Sequence, residues 1–329
     1  MTSQGRYEQS RKARHGSHRR RRWIVFILFL ACLLGLLALT YLQAPQEEPV
    51  SRVKLPAVGS GPAPPELTSQ GASRILKSRL EQVAERYPAT YGVVIFDPSS
   101  NSTVSLNAED RFLAASLTKL PVLFTLYRAA ASGEVDLDDE ITMLSSDVQA
   151  YGTGVLYNRR VGYTMTLREC AEFMIKESDN TAWVMLNRYL GRHNVEVELY
   201  NMGAHSTEYW IPNTTTPSDV LLMLKAIADP SYTSPELSAE MLDFMTHTSF
   251  EDRLPQLLPE ETRVAHKIGS YGDTFSDAGL VFPKGSKSTE DAYFIVVMAG
   301  DTTEPTARSG IQQMSLVAYR LLGEPSANH

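Results

Sequence analysis

The stretch FLAASLTKLPV, residues 112–122, sets Ser116 three residues before Lys119 at the start of an apolar run. On a helix, positions i and i+3 share a face, so the hydroxyl and the amine can touch. Two readings compete. A nucleophile with its general base has this spacing, and so has a serine that caps a helix ahead of a surface lysine. Spacing alone does not choose between them, because Ser51 and Lys54 repeat it in SRVK. The surroundings are more informative. Leu120, Leu123, Leu126 and Tyr127 form an apolar stripe, so the helix runs through the core. A lysine beside such a stripe is desolvated, which lowers its pKa and leaves an amine able to act as a base. Ser116 lies near the helix N-terminus, where backbone N–H groups favour developing negative charge.

Outward from this helix the elements fall in a definite order. Residues 71–88, GASRILKSRLEQVAERYP, carry Ile75, Leu76, Leu80, Val83 and Ala84 at helical spacing, and Pro88 ends the run. YGVVIFDPSSNSTVSLN then reads as two short strands joined by a turn. A mostly helical middle extends from 113 to 248. VAHKIGSYG, TFSDAGLVFP and AYFIVVMAG follow as three strand-like runs, and residues 304–322 are helical again. Two strands, many helices, three strands and a closing helix exclude a doubly wound parallel sheet. The order predicts an α+β fold, an α/β/α sandwich. The first hairpin joins the last three strands in a five-stranded antiparallel sheet, flanked by the N- and C-terminal helices, with a mostly helical lobe beside it.

Two further motifs lie along this frame. KESDNTAWV puts Ser178, Asp179 and Asn180 between the helical runs LRECAEFMIKE and TAWVMLNRYLG, where such residues also serve as caps. AHKIGSYGD puts Lys267 on the first late strand, two residues before Gly269, where a substrate backbone can approach closely. Each motif alone has a structural explanation, but their order carries more weight. Ser-x-x-Lys, then Ser-Asp-Asn, then Lys-x-Gly is the motif series of class A β-lactamases and penicillin-binding proteins. Across about residues 70–323 the chain resembles the class A β-lactamase-like serine hydrolase family. YGTGVLYN (151–158) and NTTTPSDVLLML (213–224) look like that family's segments in the right order.

The resemblance implies roles for particular residues. Ser116 is the implied acylated nucleophile and Lys119 its base. Ser178 passes a proton to the leaving nitrogen, helped by the charge of Lys267. Asn180 positions the substrate amide and holds Lys119. Gly269 and Ser270 line the strand edge, and the backbone N–H groups of Ser116 and Ser270 form an oxyanion hole. Tyr151 walls the cleft. Arg253 is the candidate for a substrate carboxylate, which arginine can grip with two hydrogen bonds; a surface arginine is the competing reading.

Two departures stand out. The residue after the strand lysine usually carries a hydroxyl in this family, and here it is Ile268. Class A enzymes also carry a Glu-x-x-Leu-Asn loop whose glutamate activates water. VEVELYNMGAHSTEYWIPNTTTP, residues 195–217, is too short and lacks that motif, leaving Glu208 as the possible deacylation acid. Acylation is therefore expected, and fast release is not. The expected activity is hydrolysis of β-lactam amides, with slow turnover. The alternatives are a D-alanyl-D-alanine carboxypeptidase-like or penicillin-binding enzyme acting on peptidoglycan peptides, and a sensor that is acylated without turnover.

Composition sets the remaining limits. The 329 residues are 43% hydrophobic and carry a net charge of −7. Residues 1–22 hold eight Lys/Arg against one acidic residue, a local +7, so the remaining chain carries −14. That acidity argues against nucleic acid as a partner. Residues 23–42, WIVFILFLACLLGLLALTYL, are uncharged for about the length of a bilayer-spanning helix. With Arg19 to Arg22 before it, this segment reads as a signal anchor with a cytoplasmic N-terminus and an extracytoplasmic domain. Residues 43–68 contain six prolines and read as a spacer, 69–323 as the hydrolase domain and 324–329 as a tail. Of the two cysteines, Cys32 lies in the apolar segment and Cys170 on a helix's apolar face, so no internal disulfide is expected. The seven histidines show no metal-ligand spacing, and no glycine-rich phosphate loop follows a strand, so no metal or cofactor is expected. His266 falls on the strand face opposite Lys267 and reads as a satisfied core residue. The domain is expected to act as a monomer.

Overall fold

The run read as helical over residues 71–88 forms α1 (Ser69–Arg86), which buries Leu76 and Leu80 and leaves Ile75 exposed. The computed structural model describes residues 69–323 except Lys287. The basic stretch, the apolar segment 23–42, the spacer and the tail lie outside the described residues. After α1 come β1 (Thr90–Asp97) and β2 (Ser102–Leu106), then β3 (Phe112–Leu113) and a 3-10 turn, Ala115–Thr118. The turn runs straight into α2 (Lys119–Ala131). The lobe continues with β4 (Glu140–Thr142), β5 (Thr164–Thr166), α3 (Leu167–Lys176), α4 (Asn180–Leu190) and α5 (Arg192–Asn201). It ends with β6 (Thr214–Thr215), α6 (Pro217–Ala228) and α7 (Pro235–Phe244). The chain returns through β7 (Val264–Tyr271), β8 (Thr274–Val281), β9 (Tyr293–Gly300) and α8 (Glu304–Ala318).

The main sheet has the order β2-β1-β9-β8-β7, antiparallel throughout, so the first hairpin joins the last three strands through the β1–β9 pair. Layers cover both faces. Val93, Ile95, Ile295 and Val297 pack with Leu80 of α1 and with Ile311 and Met314 of α8. Their neighbours Val94, Val296 and Met298 turn the other way, into a core shared with Leu120 and Leu123 of α2 and Leu224 of α6. Alternate side chains of a strand point to opposite faces. A strand covered on both sides must therefore be apolar along its length, as YFIVVMAG of β9 is.

The helical middle departs from expectation in one respect. It holds two small antiparallel pairs, β3 with β6 and β4 with β5. Leu113 pairs with Thr214 and fastens the segment leading to Ser116 to the lobe. Cys170 is fully buried on α3, as its place on the apolar face predicts.

Candidate active site

β7 is the edge strand of the sheet on this side, and it packs along the turn that carries Ser116. Glycine at 269 makes the approach close. A Cβ there would lie 2.9 Å from the Ala114 carbonyl oxygen and 3.3 Å from Leu117 Cγ. The turn itself brings nucleophile and amine together, because residues i and i+3 eclipse in a 3-10 helix. Lys119 Nζ donates to Ser116 Oγ at 2.9 Å. It also donates to Asn180 Oδ1 and the Ser178 carbonyl, each at 2.8 Å, and lies 3.2 Å from Ser178 Oγ. From the opposite side Lys267 Nζ donates to Ser178 Oγ at 2.9 Å.

Both lysines are 1% exposed. Burial holds the Lys119 amine well below the ordinary lysine range, and the charge of Lys267 lowers it further against an opposing pull from Asp179. Burial brings Lys267 down to about 7, with Asp277 opposing and Arg253 reinforcing the shift. Three cleft residues are left-handed without being glycine: Ala115 (φ 47°), just before the nucleophile, Ser178 (φ 49°) and Asn213 (φ 60°). Such residues store about 1–3 kcal/mol of strain each and persist where their surroundings fix them.

Asp179 supplies much of that fixing. Its carboxylate accepts from the Ala182 amide at 2.9 Å, capping α4, and from the Val155 and Leu156 amides at 2.6 and 2.8 Å. Gly154, at φ 119°, lies so close to this carboxylate that a Cβ would collide with it. Asn180 Nδ2 donates to the Tyr151 carbonyl, and Thr153 Oγ1 donates to the Ser178 carbonyl at 2.7 Å. Residues 151–158 are thereby stitched to the Ser-Asp-Asn motif. Ser116, Lys119, Ser178, Asn180, Ser270, Arg253 and Tyr151 all line one cleft of about 580 Å³. A second groove of about 510 Å³, bordered by Arg128, Tyr189 and Glu198, lies away from these residues.

Arg253 and Glu208 are held by partners that the sequence does not reveal. Arg253 is no surface residue, being 2% exposed. Its guanidinium donates to the Gly269 and Ser276 carbonyls at 2.9 and 2.6 Å and to Ser270 Oγ at 2.6 Å. It backs the β7 edge, with exposed Ser270 lying between it and the cleft surface. Glu208 does not line the cleft. It pairs with Arg111 at 2.6 Å, and its backbone bridges to Thr214, which turns it to the outer side of the lobe. The candidate deacylation acid, Glu208, is thus held in an ion pair with Arg111 and is not part of the cleft lining.

The cleft also contains residues that sequence reasoning passed over. Thr153, Trp183, Asn213, Phe250, Asp252 and Glu304 line it. Arg308 bridges Asp252 and Glu304, at 2.8 and 2.7 Å. No short pattern marks these positions, whereas Asp179 announces itself as a helix cap.

Comparison with known proteins agrees with this geometry. The model of the beta-lactamase enzyme family matches residues 75–322. The chain belongs to that family. Among relatives of this β-lactamase-type serine hydrolase, Beta-lactamase 3 of Bacillus cereus is 27% identical over 250 residues, 68% of this chain and 78% of the relative. A β-lactamase of Streptomyces fradiae is 27% identical over 303 residues, 82% and 90% of the two chains. In three dimensions the chain is similar to a mutant of PBP-A solved as an acyl-enzyme complex with penicillin G. That likeness has a TM-score of 0.69 and 28% identity, and covers 75% of this chain and 96% of the other.

Proposed function

We propose that Ser116 is acylated by β-lactam amides and that the acyl-enzyme is released slowly. The observation that carries this reading is the buried Lys119 amine, 2.9 Å from Ser116 Oγ and held well below the ordinary lysine range. Ser116 Oγ attacks the lactam carbonyl carbon and gives its proton to Lys119 Nζ. The C–N bond then breaks, and the leaving nitrogen takes a proton through the Ser178 hydroxyl, which both amines contact. Backbone N–H groups of Ser116 and Ser270 hold the oxyanion, a contribution of about 2.7–4 kcal/mol per donor. Ser270, backed by Arg253, holds the substrate carboxylate.

Slow release follows from the placement of acids. Glu208 faces Arg111, and the cleft carboxylates Asp252 and Glu304 are both engaged by Arg308. Hydrolysis of the ester needs an activated water, and none of these groups bonds to Ser116 among the described residues. Peptidoglycan peptides ending in a free carboxylate are the second reading, supported by the open cleft and its exposed rim residues Tyr151 and Tyr271. An acylated sensor differs from both only in never releasing its adduct. Residues 23–42 anchor the chain in the cell membrane with the catalytic domain outside, acting as a monomer.

Intact-mass spectrometry of the full-length protein with penicillin G and a chromogenic cephalosporin, followed over time, tests this reading. A persistent adduct, lost in Ser116→Ala, is the expected result. A transient adduct with rapid product release overturns the slow-release part, and no adduct overturns the whole.

A further inference from the structure

Behind the β7 edge lies a buried ionic cluster that the reaction scheme leaves unused. His266 is fully buried on β7, yet both of its ring nitrogens face carboxylates. Nδ1 lies 2.8 and 3.0 Å from the two oxygens of Asp277, and Nε2 lies 3.3 Å from Glu251 Oε1. An imidazolium lets each nitrogen donate to the carboxylate it faces, Nδ1 to Asp277 and Nε2 to Glu251. Burial opposes that charge, but Asp277 and Glu251 outweigh it and lift the ring to about 9.

The two carboxylates grip opposite ends of one segment. Glu251 Oε1 accepts from the Thr248 amide at 2.6 Å and from its hydroxyl at 3.0 Å. Asp277 Oδ2 accepts from the Leu254 amide at 3.0 Å. Between these two points sits Arg253, whose guanidinium backs Gly269 and Ser270. The His266 backbone amide donates to the Met245 carbonyl at 2.7 Å, tying the strand to the end of α7. From α8, Gln312 and Ser315 hold the Asp252 and Leu254 carbonyls, and Arg308 engages Asp252 and Glu304.

We propose that His266 is a positioning residue for substrate binding: as an imidazolium between Asp277 and Glu251, it fixes residues 248–254 so that Arg253 supports Ser270. Remove the proton or the ring, and Asp277 and Glu251 lose the hydrogen-bonded cation they share, although the charges of Arg253 and Lys267 still act on Asp277. The segment then loosens at both ends of Arg253, and the recognition of a substrate carboxylate weakens. Attack by Ser116 is untouched, because His266 contacts none of the reacting groups. The inference rests on the acylation reading above.

The test compares second-order acylation of the full-length protein by penicillin G and by its uncharged methyl ester, from pH 7 to 10. The expected wild-type preference for the free acid falls as pH rises through about 9, where the imidazolium is lost. His266→Gln is expected to lose about tenfold of that preference at pH 7, through weaker binding, and to show no such pH step. A folded His266→Gln with wild-type preference, or one that loses both substrates equally, overturns the inference. Should His266→Gln fail to fold, Glu251→Gln replaces it, removing the half-exposed charge that faces Nε2 while keeping an oxygen that can accept from Thr248, and its unchanged pH step has the same overturning force. If wild type forms no adduct with either compound, the functional reading falls and takes the inference with it; an adduct with unaltered preference removes the inference alone.

Discussion

At the scale of the residue, the site is governed by two amines sharing one hydroxyl. Lys119 and Lys267 approach Ser178 Oγ at 3.2 and 2.9 Å from different elements, and burial lowers both pKa values. Acylation is therefore expected to fall as pH drops through the depressed Lys119 value, because a protonated amine cannot accept the Ser116 proton. A rate of adduct formation that stays flat on acidification would sink Lys119 as the base. Lys267 carries a stability consequence of definite sign. An unfolded lysine keeps its proton to about 10.4, whereas the folded one loses it near 7. Between these limits the unfolded chain binds the extra proton, so the lysine's contribution to stability rises with pH and is lost as pH falls towards 7. Wild type is expected to gain on the order of 2 kcal/mol relative to Lys267→Met between pH 7 and 9, read from urea melts. Parallel melts at both pH values would mean that Lys267 is not desolvated. These residues were legible because each sits in a short pattern with a fixed spacing. The orientation of Glu208 was not legible, because its partner Arg111 lies 97 positions away, a distance at which sequence carries no orientation.

Elements fix how closely those residues meet. The Asp179 carboxylate serves three backbone amides, one on α4 and two in the loop that carries Tyr151. Asp179→Ala is expected to cost about 3 kcal/mol or more, since each orphaned amide loses a buried partner. It should also slow acylation by freeing the loop that restrains Asn180. Unchanged melting would show that water or a neighbouring group replaces the carboxylate. Gly269→Ala makes the complementary test on the strand. Its Cβ, 2.9 Å from the Ala114 carbonyl, must push β7 away from the Ser116 turn. A displacement of about 1 Å at a reacting centre lowers rates by about a hundredfold, so adduct formation should drop far more than stability. Long helices and the apolar β9 could be read from period and composition. The β3–β6 and β4–β5 pairs could not, because strands of two or three residues are too short to show alternation.

The whole molecule divides labour between the faces of its sheet. The reacting groups and the lobe lie on the α2 side, while α1 and α8 close the back with their own core. Leu80→Ala, a fully buried change in that back layer, is expected to cost ~2–5 kcal/mol of stability and leave the acylation rate of the folded protein unchanged. A matching loss of rate in folded protein would mean that the back layer sets the geometry of the cleft. The sheet's composition was legible from the order of elements alone, because two early and three late strands leave few other ways to cover every apolar face. That arrangement also bears on how the chain acquires its structure. The central pair joins Thr90 to Gly300, some 210 residues apart. At a synthesis rate of about 5–20 residues per second, β1 leaves the ribosome roughly 10–40 s before its partner strand exists. Through that interval the hairpin has an unmatched apolar edge, which is the condition that invites aggregation and chaperone capture. The strand order that sets β1 beside β9 therefore leaves the nascent chain open to these risks until its last fifth has been made.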